Sequence, residues 1–142
     1  MFKKQDEGFT FIETIVVIAI ILILSAGVGF SVIKYIGYAK TAACRNQIET
    51  FKLALQSYYL ECGAYPTDGQ GLNALWEKPI LSPVPVSWDG PYIDRELPKD
   101  PWEHSYVYKA PGEKGLPFTI TSYGADGLEG GEKNNADIFS WK

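Results

Sequence analysis

The chain has 142 residues, 46% of them apolar, with 13 Lys+Arg against 17 Asp+Glu and a formal net charge of −4. That length supports one domain of modest size, and the acidic balance argues against a nucleic-acid binder, which normally carries a basic stripe. Two cysteines, Cys44 and Cys62, are too few for a disulfide framework and lack metal-ligand spacing.

The apolar residues are spread unevenly. A charged start containing Lys3, Lys4, Asp6 and Glu7 leads into a run from Thr14 to Ile33 with no charged residue. A helix of about 20 residues spans roughly 30 Å, which matches a bilayer core. Glu13 stands at the edge of that run, and a carboxylate at membrane depth is costly and usually marks function. Three readings compete. A cleaved secretory signal needs a shorter apolar region and a small-x-small site, but "SAG" at Ser25–Gly27 is followed by further apolar residues. An uncleaved anchor fits the length and leaves Glu13 unexplained. Processing on the cytoplasmic side, before the span, is the third.

The string Gly8-Phe9-Thr10-Phe11-Ile12-Glu13 resembles the type IV prepilin processing motif: a charged leader, a glycine, a phenylalanine, and a glutamate four residues on. The resemblance implies cleavage between Gly8 and Phe9 by a prepilin peptidase, and N-methylation of Phe9. Lys3 and Lys4 favour a cytoplasmic leader. Losing the leader removes two basic and two acidic residues, so the net charge stays at −4. Cleavage would also create an amine on Phe9, and pairing it with Glu13 offsets part of the desolvation cost of both charges. The two residues are i and i+4 within one helix. The resemblance implies instead that Glu13 meets the amine of a neighbouring subunit during fibre assembly.

Beyond the span, Cys44, Ile48, Phe51, Leu55, Tyr58 and Cys62 step by three and four residues and form one apolar stripe. Arg45, Glu49, Lys52 and Gln56 fall off it, with Arg45/Glu49 and Glu49/Lys52 as helix-spaced charge pairs. One helix is predicted from about Phe9 to Glu61, roughly 80 Å long. Cys44 and Cys62 would stand about 27 Å apart along its axis, beyond disulfide reach. They read as small buried hydrophobes, with a redox role as the alternative. The prepilin family often carries proline at the position of Phe30. Here Gly27 and Gly29 flank it, and they either soften the helix or let neighbouring helices approach closely.

Gly63 and Pro66 mark the end of the helix. A short helix is predicted over Gly69–Lys78. A loop follows from Pro79 to Pro101, which holds six prolines. Ser105–Lys109, Phe118–Tyr123 and Ile138–Trp141 read as strands. The expected fold is α+β: a long N-terminal helix, membrane-spanning in its first half, packed on a small antiparallel β-sheet head rich in Tyr and Trp. The corresponding segments are a leader (1–8), a transmembrane and assembly helix (9–33), an amphipathic second half (34–62) and a periplasmic head (63–142).

In the head, "YYLECGAYPTDGQGLNAL", "WDGPYI", "LPKDPW" and "SYGADGLEGGEKNNADIFSW" together resemble the major pseudopilins of type II secretion systems, a branch of the type IV pilin-like superfamily. The last string is the candidate site. Asp126, Glu129, Glu132, Asn134, Asn135 and Asp137 are interspersed with Gly124, Gly127, Gly130 and Gly131, and oxygen donors on a glycine-rich loop suit Ca²⁺. The twelve-residue spacing from Asp126 to Asp137 imitates an EF-hand loop but fails, because Leu128 and Gly130 fill ligand positions. The resemblance implies a different calcium loop. Asp126, Asn134, Asn135 and Asp137 would supply side chains, and Tyr123 and Leu128 backbone carbonyls. Asn134 and Asn135 stand where acidic residues are common, which lowers the charge of the site. "GADGLEGG" lacks the lysine and serine of a phosphate loop. His104, the one histidine, has no nucleophile motif beside it and reads as a surface or packing residue.

The resemblance thus implies a structural, non-enzymatic subunit of the inner membrane, with a single span and the head in the periplasm. It would polymerise with itself into a fibre that helps move folded exoproteins across the outer membrane. Implied partners are minor pseudopilins, the prepilin peptidase, an inner-membrane assembly platform with a separate ATPase, and membrane lipid, with no nucleic acid. An adhesion or motility pilin and a membrane-tethered binding module are the alternatives. The absence of a cysteine after Cys62 speaks against the disulfide-closed loop of many pilins.

Overall fold

The computed structural model describes residues 9–142, except for the side chains of residues 27–31. The expected leader and Gly8 lie outside the described residues, as do the side chains of Gly27, Gly29 and Phe30. The chain divides into two units, Met1–Gly37 and Tyr38–Lys142.

One helix, α1, runs over Phe11–Cys62, 52 residues, within two residues of the predicted ends. In the first unit, every described side chain from Phe9 to Ala26 is exposed. That is the state of an apolar helix face with no packing partner among the described residues. Among the described residues no helix is long and apolar enough to cross a membrane. The uncharged run Thr14–Ile33 includes residues 27–31, whose side chains are not among those described.

In the second unit the stripe packs inward. Cys44, Ile48, Phe51, Leu55 and Tyr58 are buried, and Cys62 is half-buried against the same cluster. Gly63 closes α1 in the left-handed region (φ +77°), and its N–H donates to the Tyr59 carbonyl at 2.8 Å, a glycine C-cap. Both cysteines are free thiols. Cys44 is fully buried, and Cys62 Sγ lies 3.8 Å from the Tyr92 hydroxyl.

The short helix expected over Gly69–Lys78 contracts to a 3-10 turn at Leu72–Leu75. Gly71 adopts φ +61°, and the N–H groups of Gln70 and Gly71 both turn back to the Thr67 carbonyl. The chain therefore enters the segment through a tight turn, with Pro79 close behind, which leaves room for one turn only. Leu72, Ala74 and Leu75 are buried.

Three strands form an antiparallel sheet in the order β1 (Val107–Lys109), β2 (Thr119–Ser122), β3 (Ile138–Phe139). Each is shorter than its sequence run. β1 lacks the first two residues of its run and ends at Lys109 as expected, ahead of Pro111, which has no N–H to give. β3 stops because Ser140 changes the pairing: its hydroxyl accepts the Ile120 N–H at 3.0 Å, and its own N–H donates to the Ile120 carbonyl at 2.9 Å. The central strand β2 is buried at all four positions.

Aromatic rings join helix to sheet. Phe51 meets Tyr106 edge-on at 5.1 Å between centroids, a favoured geometry for buried rings. The Tyr108 hydroxyl donates to the Pro66 carbonyl at 2.9 Å. Burial pushes the Tyr58 phenol up to about 12. The α+β fold, with α1 packed on a small antiparallel sheet, is the one anticipated.

Candidate functional site

Two segments carried functional expectations, and the structure treats them differently. At the start of α1, Glu13 Oε2 accepts hydrogen bonds from the Thr10 N–H at 2.8 Å and the Thr10 hydroxyl at 2.7 Å. The Glu13 N–H reaches the Thr10 hydroxyl oxygen at 3.3 Å. This is a reciprocal capping box, Thr-x-x-Glu, which satisfies donors that the first turn of a helix leaves unpaired. Glu13 thus has a local partner in the single chain. Phe9, two residues before the helix, is exposed.

The second segment is the loop from Tyr123 to Asp137 that joins β2 to β3. Glycine conformation sets its path. A Cβ on Gly124 (φ +63°) would sit 2.9 Å from the Ala136 carbonyl oxygen, and one on Gly131 (φ +86°) would sit 2.5 Å from that of Asn135. Both positions combine positive φ with backbone crowding, so only glycine fits. The far side of the loop folds as a 3-10 turn, Lys133–Asn135, and the Ala125 N–H closes onto the Asn134 carbonyl at 3.0 Å.

The expected ligands fall on separate turns of this loop. Asp126 Oδ1 accepts the Leu128 N–H at 3.1 Å, a local side-chain turn. Asp137 Oδ2 accepts the Gly130 N–H at 2.9 Å, which draws the end of the loop onto its middle. The other Asp137 oxygen, Oδ1, is buried with no hydrogen-bond partner among the described residues. An unpaired buried acceptor carries its full desolvation cost. Asn134 and Asn135 are exposed. Asp137 also lines a small recess with Tyr123, Glu129, Lys109 and Glu113, where Lys109 and Glu113 pair at 2.8 Å. Among the described residues no group of three or more His, Cys, Asp or Glu is placed to hold a metal ion. The expected ligand set does not contain such a group either, being two aspartates, two asparagines and two carbonyls.

A second layer holds the loop from beneath, centred on Asp100, which is buried. Its Oδ1 accepts the N–H groups of Trp102 at 3.0 Å and His104 at 2.8 Å, and its Oδ2 accepts the Ser122 hydroxyl at 2.6 Å. Three donors make a buried carboxylate tolerable. Ser122 Oγ in turn accepts the Gly124 N–H at 3.3 Å. His104 Nδ1 lies 3.1 Å from the Gly124 carbonyl oxygen, and a Cβ on Gly127 would strike the His104 ring at 2.9 Å. The "LPKDPW" turn, Ser122 at the end of β2 and the first glycines of the loop thus form one polar unit. His104 takes the packing role read from the sequence. Asp100 was not among the candidate site residues. Its sequence signal is an aspartate followed by proline, a turn-initiating pair, but Ser122 comes into range only through the sheet.

The family model for type II secretion system (T2SS) protein G matches residues 31–141. A second model, the prokaryotic N-terminal methylation motif, matches residues 3–29. The chain belongs to the type II secretion protein G family. It is 44% identical to a type II secretion system core protein G of Pseudomonas aeruginosa, over 99% of both chains. It is 40% identical to the core protein G of Vibrio cholerae, over 97% of this chain and 93% of that one. Among solved structures, the major pseudopilin from the type 2 secretion system of enterohaemorrhagic Escherichia coli superposes with a TM-score of 0.63. It is 36% identical and covers 73% of this chain and 88% of its own. The family is one of structural pseudopilin subunits, and the chain is a pseudopilus subunit of type II secretion. The methylation-motif match contains the string Gly8–Glu13, and the protein G match contains the head up to Trp141.

Proposed function

We propose that the chain is made as an inner-membrane prepilin, cut between Gly8 and Phe9, methylated on Phe9, and polymerised with copies of itself into a periplasmic fibre. The fibre helps move folded exoproteins across the outer membrane. The observation that carries this reading is the pairing of the two family matches in one chain, the methylation motif over residues 3–29 and protein G over 31–141. The span is residues 9–33, supported by the absence of charge from Thr14 to Ile33 and by apolar side chains exposed from every side of α1 before Ala26. The role is mechanical rather than enzymatic. The prepilin peptidase processes the chain, minor pseudopilins join the fibre, and an assembly platform with its own ATPase drives extraction from lipid.

The capping box sharpens the part given to Glu13. Both local contacts fall on Oε2, so the carboxylate orders the first turn of α1 and also presents charge at the place where cleavage creates the Phe9 amine. In the fibre it pairs with the amine of a neighbouring subunit. N-terminal sequencing of the membrane-extracted protein tests the processing step, with methylated Phe9 as the first residue expected. A chain beginning at Met1 would defeat the fibre reading. Glu13→Ala should leave membrane insertion intact and reduce fibre yield.

The same proposal gives the head a calcium ion in the Tyr123–Asp137 loop. Asp126, Asn134, Asn135 and Asp137 would hold it, together with the carbonyls of Tyr123 and Leu128. What supports this is the unpartnered Asp137 Oδ1, a buried acceptor for which a hard cation is the natural partner. The ion would supply positive charge that ties the separate turns of the loop together. Asp100, Ser122 and His104 do the positioning beneath it.

A further inference from the structure

The second unit exposes two apolar surfaces that its own core does not use. One is the loop Ile80–Val86, where Ile80 is 91% and Val86 93% exposed, with Leu81 and Val84 about half so. The other lies on α1, where Leu53 and Leu60 are 65% and 82% exposed. Seven residues apart, these two share one helix face, turned away from the buried stripe of Ile48, Phe51, Leu55 and Tyr58. Contiguous exposed apolar groups mark interaction sites.

The loop is held in its outward display. Gln70 is buried and gives both hydrogens of its amide to the carbonyls of Leu81 and Pro83, each at 2.8 Å. Its Oε1 accepts the Thr67 N–H at 2.9 Å. At the far end, Trp88 Nε1 donates to the Ala74 carbonyl at 2.9 Å. The fold thus commits a buried amide to fixing the backbone while the apolar side chains face solvent. Prolines at 79, 83 and 85 stiffen the ridge further, so little order remains to be imposed on docking. The groove under the ridge is lined by residues from Gly69 to Leu81 and by none from α1.

Charge selects the occupant. Each copy carries a net −4, so copies repel except where their surfaces are uncharged. Residues 53–60 and 79–88 contain no charged side chain. Together they hold every large hydrophobic exposed after Tyr38 except Leu128. A fibre needs a heterologous contact between two different patches of the same chain, because a self-complementary patch closes into a dimer. We propose that the Ile80–Val86 ridge of one copy docks on the Leu53–Leu60 face of α1 in the next. This rests on the reading that copies polymerise.

Cross-linking of assembled fibres tests it, using the full chain with Cys62→Ser as background, since Cys44 is buried. The double variant Leu60→Cys with Val86→Cys, treated with a short bismaleimide, should give a ladder of covalent multimers, while each single variant should give none. A wild-type yield of fibre without a ladder would overturn the proposal. Val86→Asp adds a charge that docking must desolvate. It should cut fibre yield roughly tenfold or more while the head melts as before. Unchanged fibre yield from Val86→Asp would equally overturn it. If the parent chain itself forms no fibre, the polymerisation reading fails and takes this inference with it.

Discussion

In the second unit, Phe51, Leu55, Leu75 and Ile120 are fully buried, and none of these side chains carries a polar atom. The Tyr123–Asp137 loop, by contrast, buries only Gly124 and holds itself with single hydrogen bonds to Asp126, Asp137 and the Asn134 carbonyl. The core owes its stability to apolar area removed from water, which is insensitive to direction. The loop depends on placement, and one of its buried acceptors has no partner among the described residues. A core of this kind needs no particular ion in the buffer. A loop of this kind answers to what the buffer contains.

The largest effect should come from the core. Phe51→Ala removes a fully buried ring that meets Tyr106 edge-on, and such truncations cost about 3–5 kcal/mol. Chemical denaturation of the purified chain should show that loss equally with calcium and with chelator. A calcium-dependent loss would mean that core and loop are not separable as drawn. Asp100→Ala attacks the unit joining them. It strips the acceptor from Trp102, His104 and Ser122 at once, and a cost of about 3 kcal/mol is expected for buried hydrogen bonds to a charged group. Unlike Phe51→Ala, it should also weaken the response to calcium, because Ser122 and His104 both hold Gly124.

Calcium itself should act on the loop alone. An ion that binds only the folded state at about a hundred times its Kd adds about 2.7 kcal/mol, so chelation should lower the melting temperature of the parent chain by a corresponding amount. Asp137→Asn should melt at one temperature in both buffers. Equal midpoints for the parent chain would remove calcium from the proposal. Gly131→Ala should cost about 2 kcal/mol, because its Cβ would meet the Asn135 carbonyl at 2.5 Å in a left-handed conformation. It should take the calcium response with it.

Legibility followed the same division. The stripe from Cys44 to Cys62 could be read from spacing, because helix periodicity is local and burial follows it. Residue types place the three strands but overstate their length, since Ser140 ends β3 by pairing through its side chain, which no run of residue types discloses. The helix expected over Gly69–Lys78 shrank to one turn because Gly71 spends its freedom on a positive φ. In the loop, residue types pointed to oxygen donors. The Asp100 unit beneath them depends on residues 22 positions apart in sequence meeting in space. The Thr10–Glu13 capping box is legible as Thr-x-x-Glu, and the same carboxylate carries both the local hydrogen bonding and the charge at the edge of the apolar run.

Gly63 gives the smallest and cleanest contrast. It too is left-handed, at φ +77°, but a Cβ there would meet nothing within 4 Å. Gly63→Ala therefore tests conformation without crowding, and should cost about 1 kcal/mol. It lies at the end of α1, so its loss should fray that end and leave the calcium shift at its parental size. The ratio between Gly131→Ala and Gly63→Ala then separates the steric closure of the loop from backbone strain alone. If the two variants lose equal stability, the crowding at Asn135 relaxes on substitution, and the loop is held less tightly than its contacts imply.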